Sequence, residues 1–249
     1  MKYSTFTAAL LCLLLCTLVR AEQYQVITEE WAPYNYQDNH QLTGMATEIV
    51  RAIMALTGDD FEILLLPSMR TTRTLQTRPK TIMYSMFRTP QRESRYKWVG
   101  PIIEEPIHAY QLANAPEQIS SLAQLRQAPQ ITTRHAGLVP EVLQSKGFNN
   151  LNKSVTTSLQ LYRMLLAGRT DIIIGDTDAG VRYYSRQLNI APDTLRKIPV
   201  ELYRASLYIA FSHDCDDTLV ARWAGALAQL RHTGELKRIQ RRYEQPIEQ

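Results

Sequence analysis

The chain has 249 residues, with 28 Lys and Arg against 24 Asp and Glu, a formal charge of +4. Lys2 and Arg20 fall in the N-terminal segment 1–21, so the remainder carries 26 basic and 24 acidic residues, a net of +2. That balance excludes the clustered positive charge that nucleic acid or an anionic membrane would need, and with Cys215 the sole cysteine after segment 1–21 it also excludes an internal disulfide or a cysteine-built metal site there.

Segment 1–21 opens with Lys2, continues as an apolar run over 8–19 and ends on Val19-Arg20-Ala21. This order of charge, apolar run and small residue is that of a secretory signal peptide cut after Ala21. The run is too short for a membrane span of about 20 residues, and the bulky Leu15 before Cys16 argues against a lipoprotein site. The mature 228 residues are expected in the periplasm of a Gram-negative cell, as a monomer. They suffice for two lobes of about 100 residues each.

Strand and helix signals then alternate. Residues 24–28 read as a strand and 29–43 as a polar, aromatic loop. Gly44 opens a helix with apolar Met45, Ile49, Ile53 and Met54, closed by Gly58. A strand over 61–66 ends at Pro67, a short helix starts at Ser68, and 81–86 is a strand. Residues 107–112 look extended. The second series has a helix from Ser121, a strand at 130–133, a helix over 139–146, a strand near 153–156 and a helix over 158–167. A strongly apolar strand at 171–175, a helix over 177–188 and extended stretches at 195–200 and 206–211 follow. Helices over 218–230 and 235–243 end the chain; Lys237, Arg238, Arg241 and Arg242 make a solvated face on the last.

Repeated strand–helix units predict an α/β fold with parallel sheets flanked by helices. No Pro/Gly/Ser linker separates two halves, so ordered crossings must join them, with 107–112 and 203–209 as candidates. The first lobe would then be discontinuous, 22–106 and 207–249, and the second would be 107–206. A two-stranded joint of this kind bends while both halves stay rigid.

Several stretches together resemble the type II periplasmic solute-binding proteins of the polar amino acid class, family 3 of the bacterial extracellular solute-binding proteins. They are Trp31-Ala32-Pro33-Tyr34, Leu42-Thr43-Gly44-Met45, Arg88-Thr89-Pro90-Gln91-Arg92-Glu93, Trp98-Val99-Gly100-Pro101, Ala167-Gly168-Arg169-Thr170-Asp171 and Gly175-Asp176. The resemblance implies a two-lobed binding-protein fold. It places Trp31 as an aromatic ring against the ligand, or as a plug of the sheet rim. Arg92 falls on the arginine that pairs a ligand carboxylate, a match of its planar fork to two oxygens. Asp176 falls on the acid that receives an amino group; as a helix N-cap it would serve the segment from Thr177, and Asp178 is the cap if Asp176 holds ligand. Ser85 and the turn at Gly137 complete the implied contacts, the turn through free N–H groups ahead of a helix. Phe87 and Leu138 stand where hydroxyl residues are usual, and Arg88 adds a cation; both departures point to a ligand more apolar or more anionic than a simple amino acid.

The expected function is capture of a small solute for an inner-membrane ABC permease, with no cofactor, metal or catalytic residue. A cyclohexadienyl-dehydratase-like enzyme would need a positioned acid or base; Glu29, Glu30, Glu104, Glu105 and His135 are available but form no recognisable constellation. A ligand-sensing partner of a membrane receptor is the third reading.

Overall fold

The computed structural model describes residues 24–116, 119–135 and 138–244; segment 1–21, expected to be a signal peptide, and Gly137 lie outside them. The first part runs β1 (Gln25–Thr28), β2 (Tyr36–Asp38), β3 (Gln41–Thr43), α1 (Met45–Thr57), β4 (Ile63–Leu65), α2 (Ser68–Thr77), β5 (Thr81–Phe87), α3 (Pro90–Glu93) and the long β6 (Lys97–Ile107). Next come β7 (Tyr110–Leu112), α4 (Leu122–Gln127), β8 (Ile131–Arg134), α5 (Leu138–Ser145), β9 (Leu151–Val155), α6 (Ser158–Leu166), α7 (Asp178–Gln187) and β10 (Leu195–Lys197). The chain closes with β11 (Tyr203–Phe211), α8 (Asp217–His232) and α9 (Glu235–Glu244). Among the described residues no helix is long and apolar enough to cross a membrane.

One five-stranded sheet has the order β4-β1-β5-β11-β6, with β1 parallel to β4 and β5, and β11 antiparallel to β5 and β6. Alternation along its strands feeds two faces. Val26, Ile82, Tyr84, Ile209 and Phe211 meet α1 and α8, whereas Ile27, Met83, Met86 and Ala210 meet Leu75 of α2. Helix α1 is the amphipathic helix that the spacing predicts, burying Met45, Ile49, Ile53 and Met54. Gly58 ends it in a left-handed turn at φ 73°, the conformation glycine adopts without a Cβ penalty.

The second sheet is smaller. β7 pairs antiparallel with β10, β8 pairs parallel with β9, and residues 172–174 lie between β7 and β8. Ile173 exchanges both backbone hydrogen bonds with Tyr110 at 2.9 Å, and Thr132 bonds to Ile172 and Ile174 at 2.9 and 3.0 Å. The predicted strand at 171–175 is thus a short central one, paired on both sides. Ile172 and Ile174 enter a core with Leu125, Val139, Leu143 and Phe148, and Ile173 enters another with Leu161, Tyr162, Leu165 and Val181.

Two elements differ from expectation. The loop at 29–43 contains the hairpin β2–β3, turned by Asn39 and His40 at φ 48° and 63°; a two-residue turn with both φ positive matches strand twist. The eleven residues of β6 form one strand despite Pro101 and Pro106. Its ladder with β11 shifts register between Leu207 and Ile209, opposite Gly100 and Pro101, and such a bulge removes the need for a proline N–H. Along this ribbon Ile103 and Leu207 belong to the first core, and Ile107 and Ala205 to the second. The passage between cores therefore precedes 107–112, where Tyr110–Leu112 already pairs within the second sheet.

Trp223 is fully buried, packs edge-on to Phe211 at 5.4 Å and donates its indole N–H to Asp59 Oδ2 at 2.8 Å. Trp223→Ala should remove about 3–5 kcal/mol of stability, read as a lower urea midpoint; an unchanged midpoint would show that α8 does not carry this core.

Candidate functional site

A cleft of ≈ 1320 Å³ separates the two cores. Its first wall is the loop after β1 with the end of β5 and helix α3, which supply Trp31, Ser85, Phe87 and Arg92. The facing wall comes from the end of β8 and from α5, with Arg134, His135 and Glu141. Carboxyl ends of β1, β5 and β8 thus open on one space, where open α/β sheets bind ligands.

Trp31 is packed into the rim of the sheet and also lines the cleft. Only 8% of it is exposed, and its ring packs on Tyr34 and Phe87 at 4.8 and 5.4 Å, yet it forms part of the cleft wall. Ser85 is buried in the same wall at φ 62°, and its hydroxyl donates to Asn35 Oδ1 at 2.5 Å. Asn35, fully buried, donates in turn to the Glu29 carbonyl. The Ser85 hydroxyl therefore pins the Trp31 loop to β5. Arg92 is held by the short α3, whose Pro90 follows the Thr89 N-cap. Its Nη1 donates to the Phe87 carbonyl at 3.3 Å, and among the described residues it forms no ion pair.

Arg88 is not brought to the cleft. Continuing the strand's alternation past Phe87, it turns to the other side and pairs with Glu93 through Nε and Nη2, at 2.7 and 2.5 Å. Its guanidinium lies over the rings of Trp98 and Tyr208 at 5.8 and 5.5 Å. The extra cation expected beside the site is thus spent on a surface pair.

Asp176 is 2% exposed, absent from the cleft lining, and turned into the second lobe. Oδ1 accepts from Ser158 Oγ at 2.9 Å and Oδ2 from Tyr162 OH at 3.3 Å. Burial pushes its carboxyl above the usual range, partly offset by the Arg134 charge. It is not the helix cap either. Thr177 caps α7, accepting from the Gly180 amide at 3.2 Å, and Asp178 instead accepts from His108, Tyr110 and Lys197. A Cβ at Gly180 would lie 2.7 Å from that of Asp176, so the acid needs glycine there. Leu138 begins α5.

Neither Asn35 nor Arg134 stands out in the sequence, although Arg134 directly follows the strand predicted at 130–133 and precedes His135. Its Nη2 donates to the Gly175 carbonyl at 3.1 Å, and its buried Nε has no partner among the described residues. Beside the cleft the two lobes also touch. Tyr34 OH bonds to Thr177 Oγ1, Glu105 accepts from the Ala179 amide at 3.1 Å, and Tyr36 meets Tyr183 at 5.2 Å. Burial raises the Glu105 carboxyl, offset by that amide.

Asn35→Ala would leave the Ser85 hydroxyl and the Glu29 carbonyl without their partner. A loss of about 1–3 kcal/mol is expected, together with a red shift of Trp31 emission as its loop loosens; a parent-like melting curve would contradict the pinning role.

A search of the curated proteins finds no relative. Among solved structures, the chain is similar to a histidine kinase sensor domain with similarity to periplasmic binding proteins (20% identity, 88% of this chain and 95% of that one, TM-score 0.75). It is also similar to the arginine-, lysine-, histidine-binding protein ArtJ of Geobacillus stearothermophilus (19% identity, 89% and 95% covered, TM-score 0.69). A third likeness is to the GluR0 ligand-binding core of Nostoc punctiforme in complex with L-glutamate (14% identity, 90% and 100% covered, TM-score 0.73). These likenesses establish the two-lobed fold. The model of one family matches residues 24–246, and by that match the chain belongs to the bacterial extracellular solute-binding proteins, family 3.

Proposed function

We propose that the chain is a periplasmic binding protein that closes on a small carboxylate ligand, an amino acid or a related acid, and delivers it unchanged to an inner-membrane ABC importer. The observation that carries this reading is Arg92. Its guanidinium lines a cleft between two cores, makes no ion pair among the described residues, and stands beside the aromatic wall of Trp31 and Phe87. Such a fork takes a carboxylate through two parallel hydrogen bonds, and closure from the other lobe would exclude water around it. Membership of family 3 supports the same reading, as does the likeness in fold to a protein named for binding arginine, lysine and histidine and to a ligand-binding core in complex with L-glutamate.

In this reading residues 1–21 are a cleaved signal peptide, 22–106 with 207–249 form the first lobe, and 107–206 form the second. Trp31, Ser85, Arg92 and the Gly137 turn make up the ligand contacts, and the protein acts as a monomer. The candidate acids and bases support binding over chemistry. Glu105 accepts from the Ala179 amide, and His135 Nδ1 donates to the Lys153 carbonyl at 3.3 Å. The likeness to a kinase sensor domain supports a second reading, in which the loaded protein signals to a membrane receptor. Uptake of the ligand in cells lacking the protein separates the two, since only transport would fall.

A thermal-shift screen over amino acids and small carboxylic acids should find the ligand class, because a ligand at about 100 times its Kd adds about 2.7 kcal/mol of stability. With that ligand, Arg92→Ala should cost about 2–5 kcal/mol of binding in calorimetry, and Arg92→Lys should lose much of the same energy because the fork is gone. Unchanged affinity in Arg92→Ala would rule out this site.

Trp31→Ala should weaken binding by removing an apolar wall, while Trp31→Phe should keep most of the affinity and lose most of the ligand-induced change in fluorescence. If that change persists in Trp31→Phe, the ligand lies elsewhere.

A further inference from the structure

In the family pattern the second lobe offers an acid to the cleft, for a ligand's amino group. Here the geometry is reversed. The oxygens of Asp176 accept from Ser158 and Tyr162 inside the lobe, and the carboxyl is withdrawn from the cleft wall. Arg134 occupies that wall instead. Its charge acts on the buried Asp176 carboxyl, but it forms no ion pair among the described residues; Nη2 is held by the Gly175 carbonyl, and the buried Nε–H has no hydrogen-bond partner there. A buried N–H of a charged group left unsatisfied is costly, so an acceptor arriving through the cleft gains more at Arg134 than at a solvated arginine. Three carboxylates also line the cleft. Glu30 and Glu141 are exposed, where solvent screens them, and Glu29 already has a partner. Arg92 and Arg134 are both half-buried, one on each wall.

We infer that the ligand is a small dianion, a dicarboxylate without an α-amino group, with one carboxylate on Arg92 and the other on Arg134. The inference rests on the binding-protein reading above and names its ligand. The body between the two acids lies against Trp31 and Phe87. Phe87, where family members carry a hydroxyl, offers no hydrogen bond to an ammonium and suits a hydrocarbon spacer. The first lobe also brings Arg73 to the cleft, but it is exposed and screened by solvent; each lobe thus contributes one half-buried cation, a monocarboxylate satisfies only one wall, and only a two-ended acid draws both together.

The test is a thermal-shift and calorimetric panel of succinate, glutarate, L-glutamate, L-leucine and L-arginine against the intact mature protein. Succinate or glutarate should raise the melting temperature and L-leucine and L-arginine should not. Arg134→Gln should weaken the bound dicarboxylate at least about 30-fold, as when one partner of a buried charge pair is removed. Arg134→Lys, which keeps the charge but loses the fork, should weaken it less, and its ligand-free melting temperature controls for folding. Asp176→Asn should not weaken dicarboxylate binding by more than about threefold, a change of under 1 kcal/mol, because the buried charge it removes is one that offsets Arg134. If L-leucine or L-arginine binds, needs Asp176 and ignores Arg134→Gln, the dianion assignment is overturned while the binding-protein reading stands. L-Glutamate binding that requires both Arg134 and Asp176 overturns it as well, because the amino group is then recognised. A panel in which no acid and no amino acid shifts the melting temperature counts against both.

Discussion

Both connections between the two cores run through one hydrogen-bonded ribbon, β6 against β11, paired from Phe211↔Lys97 at one end to Tyr203↔Ile107 at the other. Antiparallel strands resist shear along their length because every ladder bond would have to break at once, but they bend and twist at modest cost. The lobes are thereby limited to hinge-like rotation about a short piece of ribbon between Ile103 and Ile107. The rest of the molecule is arranged around that limit. β11 is also the fourth strand of the first sheet, so the joint is an extension of the core itself. The register shift near Tyr208 lets the ribbon pass Pro101, and Gly100 allows it, since a Cβ there would lie 2.7 Å from the Tyr208 ring.

What could be read in the residues follows the strength of local periodicity. α1 carries a full apolar stripe between two glycines, and both its bounds and its buried face are legible. The strand–helix alternation of the second half is equally plain, down to the triple isoleucine at 172–174 that becomes the centre of its sheet. β6 is hidden because its prolines contradict strand propensity and are tolerated only through a long-range partner. The β2–β3 hairpin is hidden because Asn39-His40 lacks the glycine that usually marks such a turn.

The cleft is legible to a different degree. Trp31 and Arg92 lie in short motifs whose turns, Trp-Ala-Pro and Thr-Pro-Gln-Arg, set their direction locally, and both reach the wall. Arg88 and Asp176 depend on what surrounds them. Glu93, five residues on, captures Arg88, and Ser158 and Tyr162 from α6 capture Asp176. Residue type and spacing carry no trace of such competition among side chains from distant elements. Arg134 was missed for the same reason. Its importance comes from the withdrawal of Asp176, which follows the neighbouring strand of the sheet.

The contacts that join the lobes beside the cleft, from Tyr34 to Thr177, Glu105 to the Ala179 amide and Tyr36 to Tyr183, consist wholly of protein groups. They favour the approximated lobes whether or not the cleft is filled, and so set the fraction of molecules that is binding-competent before any ligand arrives. Observed affinity is the intrinsic affinity multiplied by that fraction. Residues that never touch the ligand therefore act as a gain control on the protein. Substitutions among them can move the solute concentration to which it responds without altering which solute it prefers.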